Sequence, residues 1–318
     1  MTYRFVKVTT FYPEFLSWYY SQNIDVCTKS YEDQLQALMR QEFGWSDYFA
    51  RNFLPLGVEA YELVANALPL QQAWARQHGV RVGSERDILL HQLKRLKPDV
   101  VLFEDPFQYS GEWIQLVKDQ VPSLKQVIGW CCAPYTDDHL HRFSVFDYML
   151  TCNVGFPSLF KRYGIKSYVM HHAFEPTILS RLSHVAATNV ADVVFVGSLH
   201  DGEGFYSARR QLLNEVANLG LNFQVFGVWT KHSSRYPWLR RAAFVANRAV
   251  TVAGLAGLLG KSAIGKKIGK VQEPPGTTKV AKHLASAIQA PLYGIAMFRA
   301  IQQSAIGLNS HIDAAGRA

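Results

Sequence analysis

The sequence predicts an α/β protein made of two Rossmann-like, doubly wound parallel-sheet domains, the second of them incomplete. Three observations carry this. Short apolar runs rich in β-branched residues alternate with helical patterns, which is how a parallel sheet covered by helices reads. The alternation lapses over residues 172–190 and restarts at Ala191. Several runs then end on a glycine or an acid, at the edge where open α/β sheets hold their ligands. The boundaries that follow are an N-terminal domain over 1–172, a linker over 173–190 and a partial second domain over 191–318. At 318 residues the chain is long enough for two separate cores.

Residues 4–10 read as the first strand. Charges inside that short apolar run make it a strand rather than a signal peptide. Pro13 opens a helix. Residues 30–53 are helical in pattern, with a break at Gly44. A strand at 60–64 and a helix at 67–78 follow, then a helix at 84–96 with Ser84 as N-cap. Asp99-Val-Val-Leu-Phe103 is a buried strand ending on Glu104-Asp105-Pro106. Next come a helix at 112–121, strands at 126–130 and 148–151, a short helix at 157–163 and a strand at 167–171. In the second domain, Ala191-Asp-Val-Val-Phe-Val-Gly-Ser-Leu199 is a buried strand ending on Gly197-Ser198. A polar loop then enters a helix with Arg209 and Arg210 in its first turn. A strand at 222–226 ends on Gly227, residues 238–259 are helical, 265–275 form a loop, 292–303 are helical and 305–309 form a strand. Neither internal repeats nor low-complexity tracts are visible.

Hydrophobic residues make up 48% of the chain and charged residues 18%, as in a folded soluble protein. No run of about 18 uncharged apolar residues is present, so no membrane span is expected. The formal charge is +8, concentrated in the last third: from Trp229 onward thirteen Lys and Arg face only Glu273 and Asp313. That bias suits a phosphate-rich partner or a plain solvated basic face. The segment 238–270 joins arginines, lysines and an apolar stripe; it reads either as a peripheral contact with anionic lipid or as a buried helix with a basic rim. Four cysteines, Cys27, Cys131, Cys132 and Cys152, have no metal-ligand spacing and read as reduced thiols of a cytoplasmic protein.

Several segments together resemble the CgeB-like group of GT-B glycosyltransferases. They are Leu56-Gly-Val-Glu-Ala-Tyr-Glu62 with Asn66 and Trp74, Pro98-Asp-Val-Val101, His171-His-Ala-Phe-Glu-Pro176, Val194-Phe-Val-Gly-Ser-Leu199, Phe226-Gly227, and the stretch from Met297 to His311. The resemblance implies two facing Rossmann-like domains. It implies transfer, without a metal, of a sugar from a nucleotide diphosphate sugar to a hydroxyl of a glycan, a lipid or a protein. The N-terminal domain would hold the acceptor and the C-terminal domain the donor; no other cofactor, no metal and no nucleic acid is expected. In the family an Arg-Leu-Phe-Glu-like helix start follows the strand matched by 305–309. No such stretch follows here, so a shortened donor site is expected. The rival reading is a non-catalytic nucleotide- or carbohydrate-binding protein of the same fold.

Gly197 and Ser198 are the candidates to lie under the donor pyrophosphate, because glycine permits close approach and nearby N–H groups bind anions. One of Arg209 and Arg210 would clamp the phosphates. Asn309 and His311, at the end of the last strand, would line the donor side. Glu14 and Glu104 are the candidate bases for the acceptor hydroxyl. Glu14 also reads as a first-turn helix acid favoured by the macrodipole. Asp105 reads as a turn former before Pro106. His172, where the linker begins, is a catalytic or phosphate-contacting candidate or a structural hinge residue. Asp137, Asp138, His139 and His141 are placed on a loop and not assigned to a metal.

Overall fold

The computed structural model describes residues 3–81, 83–133, 135–182, 190–200, 207–230, 237–252, 265, 268 and 280–309. The chain divides into two compact units. One comprises residues 1–181 with 293–295, the other residues 182–292 and 296–317.

The first unit is built on β1 (Tyr3–Thr9), β2 (Val58–Val64), β3 (Val100–Phe103), β4 (Gln126–Trp130), β5 (Tyr148–Thr151) and β6 (Ser167–Val169). They form one sheet in the order β2-β1-β3-β4-β5-β6, every pair parallel. Its helices are α1 (Pro13–Gln22), α2 (Tyr31–Met39), α3 (Tyr48–Phe53), α4 (Leu68–Gln77), α5 (Glu85–Leu96), α6 (Gly111–Gln120), α7 (Asp137–Phe143) and α8 (Phe156–Arg162). Both faces of the sheet are covered, so strands such as Val100–Phe103 are apolar throughout. Val6, Val8, Val101, Phe103 and Met149 pack into one core; Phe5, Val100, Leu102, Ile128 and Trp130 pack into another. Ser84 caps α5 as its sequence predicts: its hydroxyl accepts from Asp87 N–H at 3.2 Å while Asp87 accepts from Ser84 N–H at 2.9 Å. Helix α9 (Thr177–Leu182) lies in the stretch read as having no strand pattern.

The second unit holds β7 (Ala191–Val196), β8 (Leu199–His200), α10 (Ser207–Ala217), β9 (Phe223–Phe226), β10 (Trp229–Thr230) and α11 (Pro237–Val252). Then come α12 (Lys282–Ala287), β11 (Ile288–Gln289), α13 (Gly294–Gln302) and β12 (Ser304–Leu308). Four strands form a parallel sheet in the order β11-β9-β7-β12, and β8 pairs with β10. Val193, Phe195, Leu213, Val225 and Leu284 make its core. The α12–β11 pair is missing from the sequence reading because it is too short to show a period.

Each main sheet reverses direction beside its first strand. The chain moves from β1 outward to β2, then returns to place β3 on the other side of β1. It likewise places β9 and β12 on opposite sides of β7. Such a reversal leaves a crevice at the carboxyl ends of the strands.

Two sequence expectations are corrected here. Residues 137–143 form helix α7, not a loop; Thr136 N–H donates to His139 Nδ1 at 3.0 Å and closes the first turn. Cys132 and Cys152 are joined in a disulfide with Cα atoms 5.7 Å apart, not reduced. They are remote in sequence but sit just past neighbouring parallel strands, which spacing alone does not show.

Candidate functional site

Alternation along β1 turns Val6 and Val8 to one core and leaves Phe5, Lys7 and Thr9 on the other face. Lys7 is therefore a lysine with no exposed surface at the middle of a sheet. Its ammonium donates to the Ser46 carbonyl at 2.8 Å and pairs with Glu62 at 3.2 Å and Glu104 at 3.7 Å. It also faces the rings of Phe49 at 5.4 Å and Trp45 at 5.9 Å. Glu62 stands directly opposite Lys7 on β2 and accepts from Ala50 N–H at 3.1 Å. Burial pushes the Glu62 carboxyl up to about 7, against the pull of Lys7 and the Ala50 N–H. Two carboxyls thus share one ammonium, and one of them readily holds a proton near neutrality.

The loop before α3 is drawn onto this cluster. Glu42, Gly44 and Ser46 all have positive φ, at 54°, 59° and 40°. That is rare for residues with a side chain and persists only where surroundings enforce it. Here Lys7 holds the Ser46 carbonyl and the Ser46 hydroxyl donates to Met39 O at 2.7 Å. Arg51 and Arg181 both grip the buried Glu42 carboxylate, at 2.8 and 2.5 Å. The loop thereby delivers Trp45 edge-on to Trp130 and to His172.

Trp45 forms one wall of an open pocket of about 330 Å³. Phe49, Asn52, Phe53 and the segment from Met170 to Pro176 complete it. Glu175 is fixed at its rim by Asn52 at 2.8 Å and by the Thr177 hydroxyl at 2.8 Å. Burial raises the Glu175 pKa, but the Thr177 and Asn52 hydrogen bonds and the Arg51 charge outweigh it, leaving the carboxyl below its ordinary value. An aromatic wall beside fixed polar groups is the composition of a site for a small polar molecule with apolar faces.

Of the three catalytic candidates, the structure places Glu104 at the reversal point between β1 and β3, joined to Lys7. His172 lines the pocket. Glu14 is exposed in the first turn of α1, and among the described residues no hydrogen bond or ion pair links it to the Lys7 cluster. Asp105 accepts from Thr10 at 2.9 Å and from Gln108 at 3.0 Å, the turn-forming role. Sequence reasoning missed Lys7, although a lysine flanked by Val6 and Val8 inside an apolar strand is the signal for it.

In the second unit, Gly197, Ser198 and Asn309 follow the adjacent strands β7 and β12, with Leu308 opposite Phe195. They therefore share the carboxyl edge at that sheet's reversal point. Gly197 N–H donates to Phe226 O at 2.9 Å, and a Cβ on Gly227 would stand 1.8 Å from Gly197 O, so the two turns are packed backbone to backbone. The arginines differ. Arg210 is 3% exposed and donates to His200 O at 3.2 Å, a structural placement. Arg209 is half-buried, lies 5.6 Å over the Phe195 ring and makes a long 3.3 Å bond to Ser198 O, at the predicted phosphate turn itself. His311 lies outside the described residues, as does most of the segment 253–279. Within 238–270, α11 is described to Val252; it has no buried residue among those described, and Arg241, Val245 and Arg248 are exposed. Among the described residues no helix is long and apolar enough to cross a membrane.

No family model and no curated protein matches the chain. Among solved structures it is similar to a glycosyltransferase from Rickettsia africae ESF-5, with a TM-score of 0.41 and 9% identity over 98% of this chain and 73% of that one. It is also similar to an α,α-trehalose 6-phosphate synthase from Burkholderia multivorans, with a TM-score of 0.44 and 11% identity over 98% of this chain and 77% of that one. Likeness at this level assigns no activity.

Proposed function

We propose that the chain is a GT-B glycosyltransferase of the CgeB-like kind. It moves a sugar from a nucleotide diphosphate sugar to a hydroxyl of a glycan, lipid or protein acceptor, with no metal and no other cofactor. The observation that supports this is the coincidence of chemistry with topology. Both sheets carry candidate residues at their reversal points, carboxylates in one and a Gly-Ser turn with an arginine in the other. In this reading the diphosphate lies against Gly197 and Ser198. Arg209 turns from the Ser198 carbonyl to the phosphates and offsets the leaving group's charge. Asn309 flanks the nucleotide. The acceptor rests on the aromatic wall formed by Trp45 and Phe49. Glu104, paired with Lys7 at 3.7 Å, takes the proton of the attacking hydroxyl.

Calorimetric titration of UDP and GDP tests the donor half. Wild type binds one of them, with affinity that falls as salt rises. Loss of one charge-assisted bond, roughly 1.5–3 kcal/mol, makes Arg209→Ala weaker by about tenfold or more. Arg210→Ala lowers stability instead, because it empties a buried structural position. Unchanged affinity in Arg209→Ala removes the clamp; no binding of any nucleotide by wild type removes the glycosyltransferase reading. The working location is the cytoplasm. Peripheral contact of α11 with anionic lipid would bring the enzyme to a lipid-linked acceptor.

A further inference from the structure

Three side chains outside the proposed chemistry meet at the carboxyl edge of the first sheet. Cys132 follows β4, Cys152 follows β5 and His172 follows β6, so three successive neighbouring strands each deliver one. Their sulfur and ring-nitrogen atoms all lie within 4.8 Å of one another. Both cysteines are partly exposed, whereas Cys131 is buried in the core on the opposite face and burial pushes its thiol up to about 12. Cys132 Sγ receives the Cys152 N–H at 2.7 Å and lies 3.9 Å from the Thr151 hydroxyl. The His172 ring is held edge-on by Trp45 and Trp130 at 5.9 and 5.3 Å and lines the pocket.

We infer that Cys132–Cys152 is a reversible redox disulfide, exchanged with a low-molecular-weight thiol such as glutathione and served by His172. A buried structural bridge would be shielded from thiols and would not sit beside an imidazole. This one is only partly buried, and one of its two sulfurs is provided with donors. A glutathione thiolate attacks Cys152 Sγ; the S–S bond breaks as the new bond forms, and the electron pair leaves on Cys132. The Cys152 N–H and the Thr151 hydroxyl stabilise that thiolate, and His172 brings it a proton. A second glutathione thiolate attacks the glutathione sulfur of the mixed disulfide. Glutathione disulfide departs and the Cys152 thiolate takes up a proton. Two glutathione thiols are oxidised to one disulfide and the protein disulfide is reduced to two thiols. The reverse sequence closes the bond. Because His172 packs on Trp45, the redox state is felt at the pocket wall. This inference stands apart from the glycosyltransferase reading.

The native full chain is equilibrated in buffers of graded reduced-to-oxidised glutathione, acid-quenched, unfolded and alkylated, and its thiols are counted by mass. Two alkylated residues, Cys27 and Cys131, are expected at the oxidised end and all four at the reduced end. The same curve should come from either direction, and tryptophan fluorescence should follow it. The transient mixed disulfide is expected on Cys152 and not on Cys132. His172→Asn should slow exchange by at least about tenfold at neutral pH while leaving the fully oxidised and fully reduced thiol counts unchanged. A bond that opens only after unfolding overturns the inference in favour of a structural crosslink. Four thiols that stay free in glutathione disulfide also overturn it. So does reduced protein that carries stoichiometric zinc and resists oxidation, which would make the three residues a metal centre.

Discussion

The reversal points of the two sheets are furnished in opposite ways. At β1 and β3 the chain places side-chain charge: a lysine with no exposed surface between two carboxyls, backed by aromatic rings and a loop with three positive-φ residues. At the end of β7 it places backbone: Gly197 in direct contact with Gly227, which follows β9, and Arg209 alongside. Side-chain charge in a sheet is costly to desolvate and must be locked by partners, which suits a site that moves one proton. Bare backbone presents N–H groups without steric bulk, which suits a multiply charged anion whose own charge does the work. The same topology thus carries buried side-chain charge in one unit and close-packed backbone with an arginine in the other.

Four changes bear on that contrast. The largest effect is expected for Lys7→Met, which leaves Glu62 and Glu104 facing each other without a cation. Removing one partner of a buried pair costs about 3–5 kcal/mol. Denaturant unfolding should show it, and the triple change Lys7→Met, Glu62→Gln, Glu104→Gln should recover most of it. A loss under about 1 kcal/mol would mean that the cluster is not a buried ionic unit.

The second concerns pH. The Glu62 carboxyl titrates near 7 in the folded chain and in the ordinary carboxylate range when unfolded. A raised folded value means that the native state binds the proton more tightly. The stabilisation is whole below the unfolded value and is lost as pH rises toward 7, by about 3 kcal/mol. Wild type should therefore lose stability relative to Glu62→Gln between about pH 4.5 and pH 7, a window set by these two values. Parallel curves for the two proteins would refute the shift.

Third, Gly227→Ala forces a Cβ into the Gly197 carbonyl. Overpacking of this kind costs about 1–3 kcal/mol. It should weaken nucleotide binding while leaving the first unit's pH dependence untouched. If both change together, the two sites are not separate. The smallest effect belongs to α11: Arg241→Ala and Arg248→Ala should each reduce co-sedimentation with anionic vesicles by roughly fivefold at low salt, about 1 kcal/mol per charge. Equal binding to neutral and anionic vesicles would remove the membrane contact.

The strands were legible wherever burial on both faces writes a continuous apolar run: residues 126–130 and 148–151 were read with the boundaries that the structure shows. Ser84 was legible because a capping box is a local signal. Glu104 was found from its place at a strand end. Lys7 was not, since its meaning depends on Glu62 being opposite it across the sheet. Nor was the disulfide, whose halves are 20 residues apart and meet only because β4 and β5 pair. Helix α7 was misread because its seven residues are largely polar and show no stripe. For Lys7 and the disulfide the missing information was long-range pairing, which a single chain's periodicity does not encode.

The adjacent cysteines carry a consequence for how the first sheet must assemble. Cys131 and Cys132 leave the end of β4 on opposite faces, one sealed in the core and one open beside Cys152. Slipping β4 by a single residue against β5 would exchange them. The protein would then present Cys131 at its edge and bury Cys132. A bond from Cys152 to the wrong neighbour would fix that misalignment covalently. The register of β4 against β5 therefore decides which of the two adjacent cysteines Cys152 can reach.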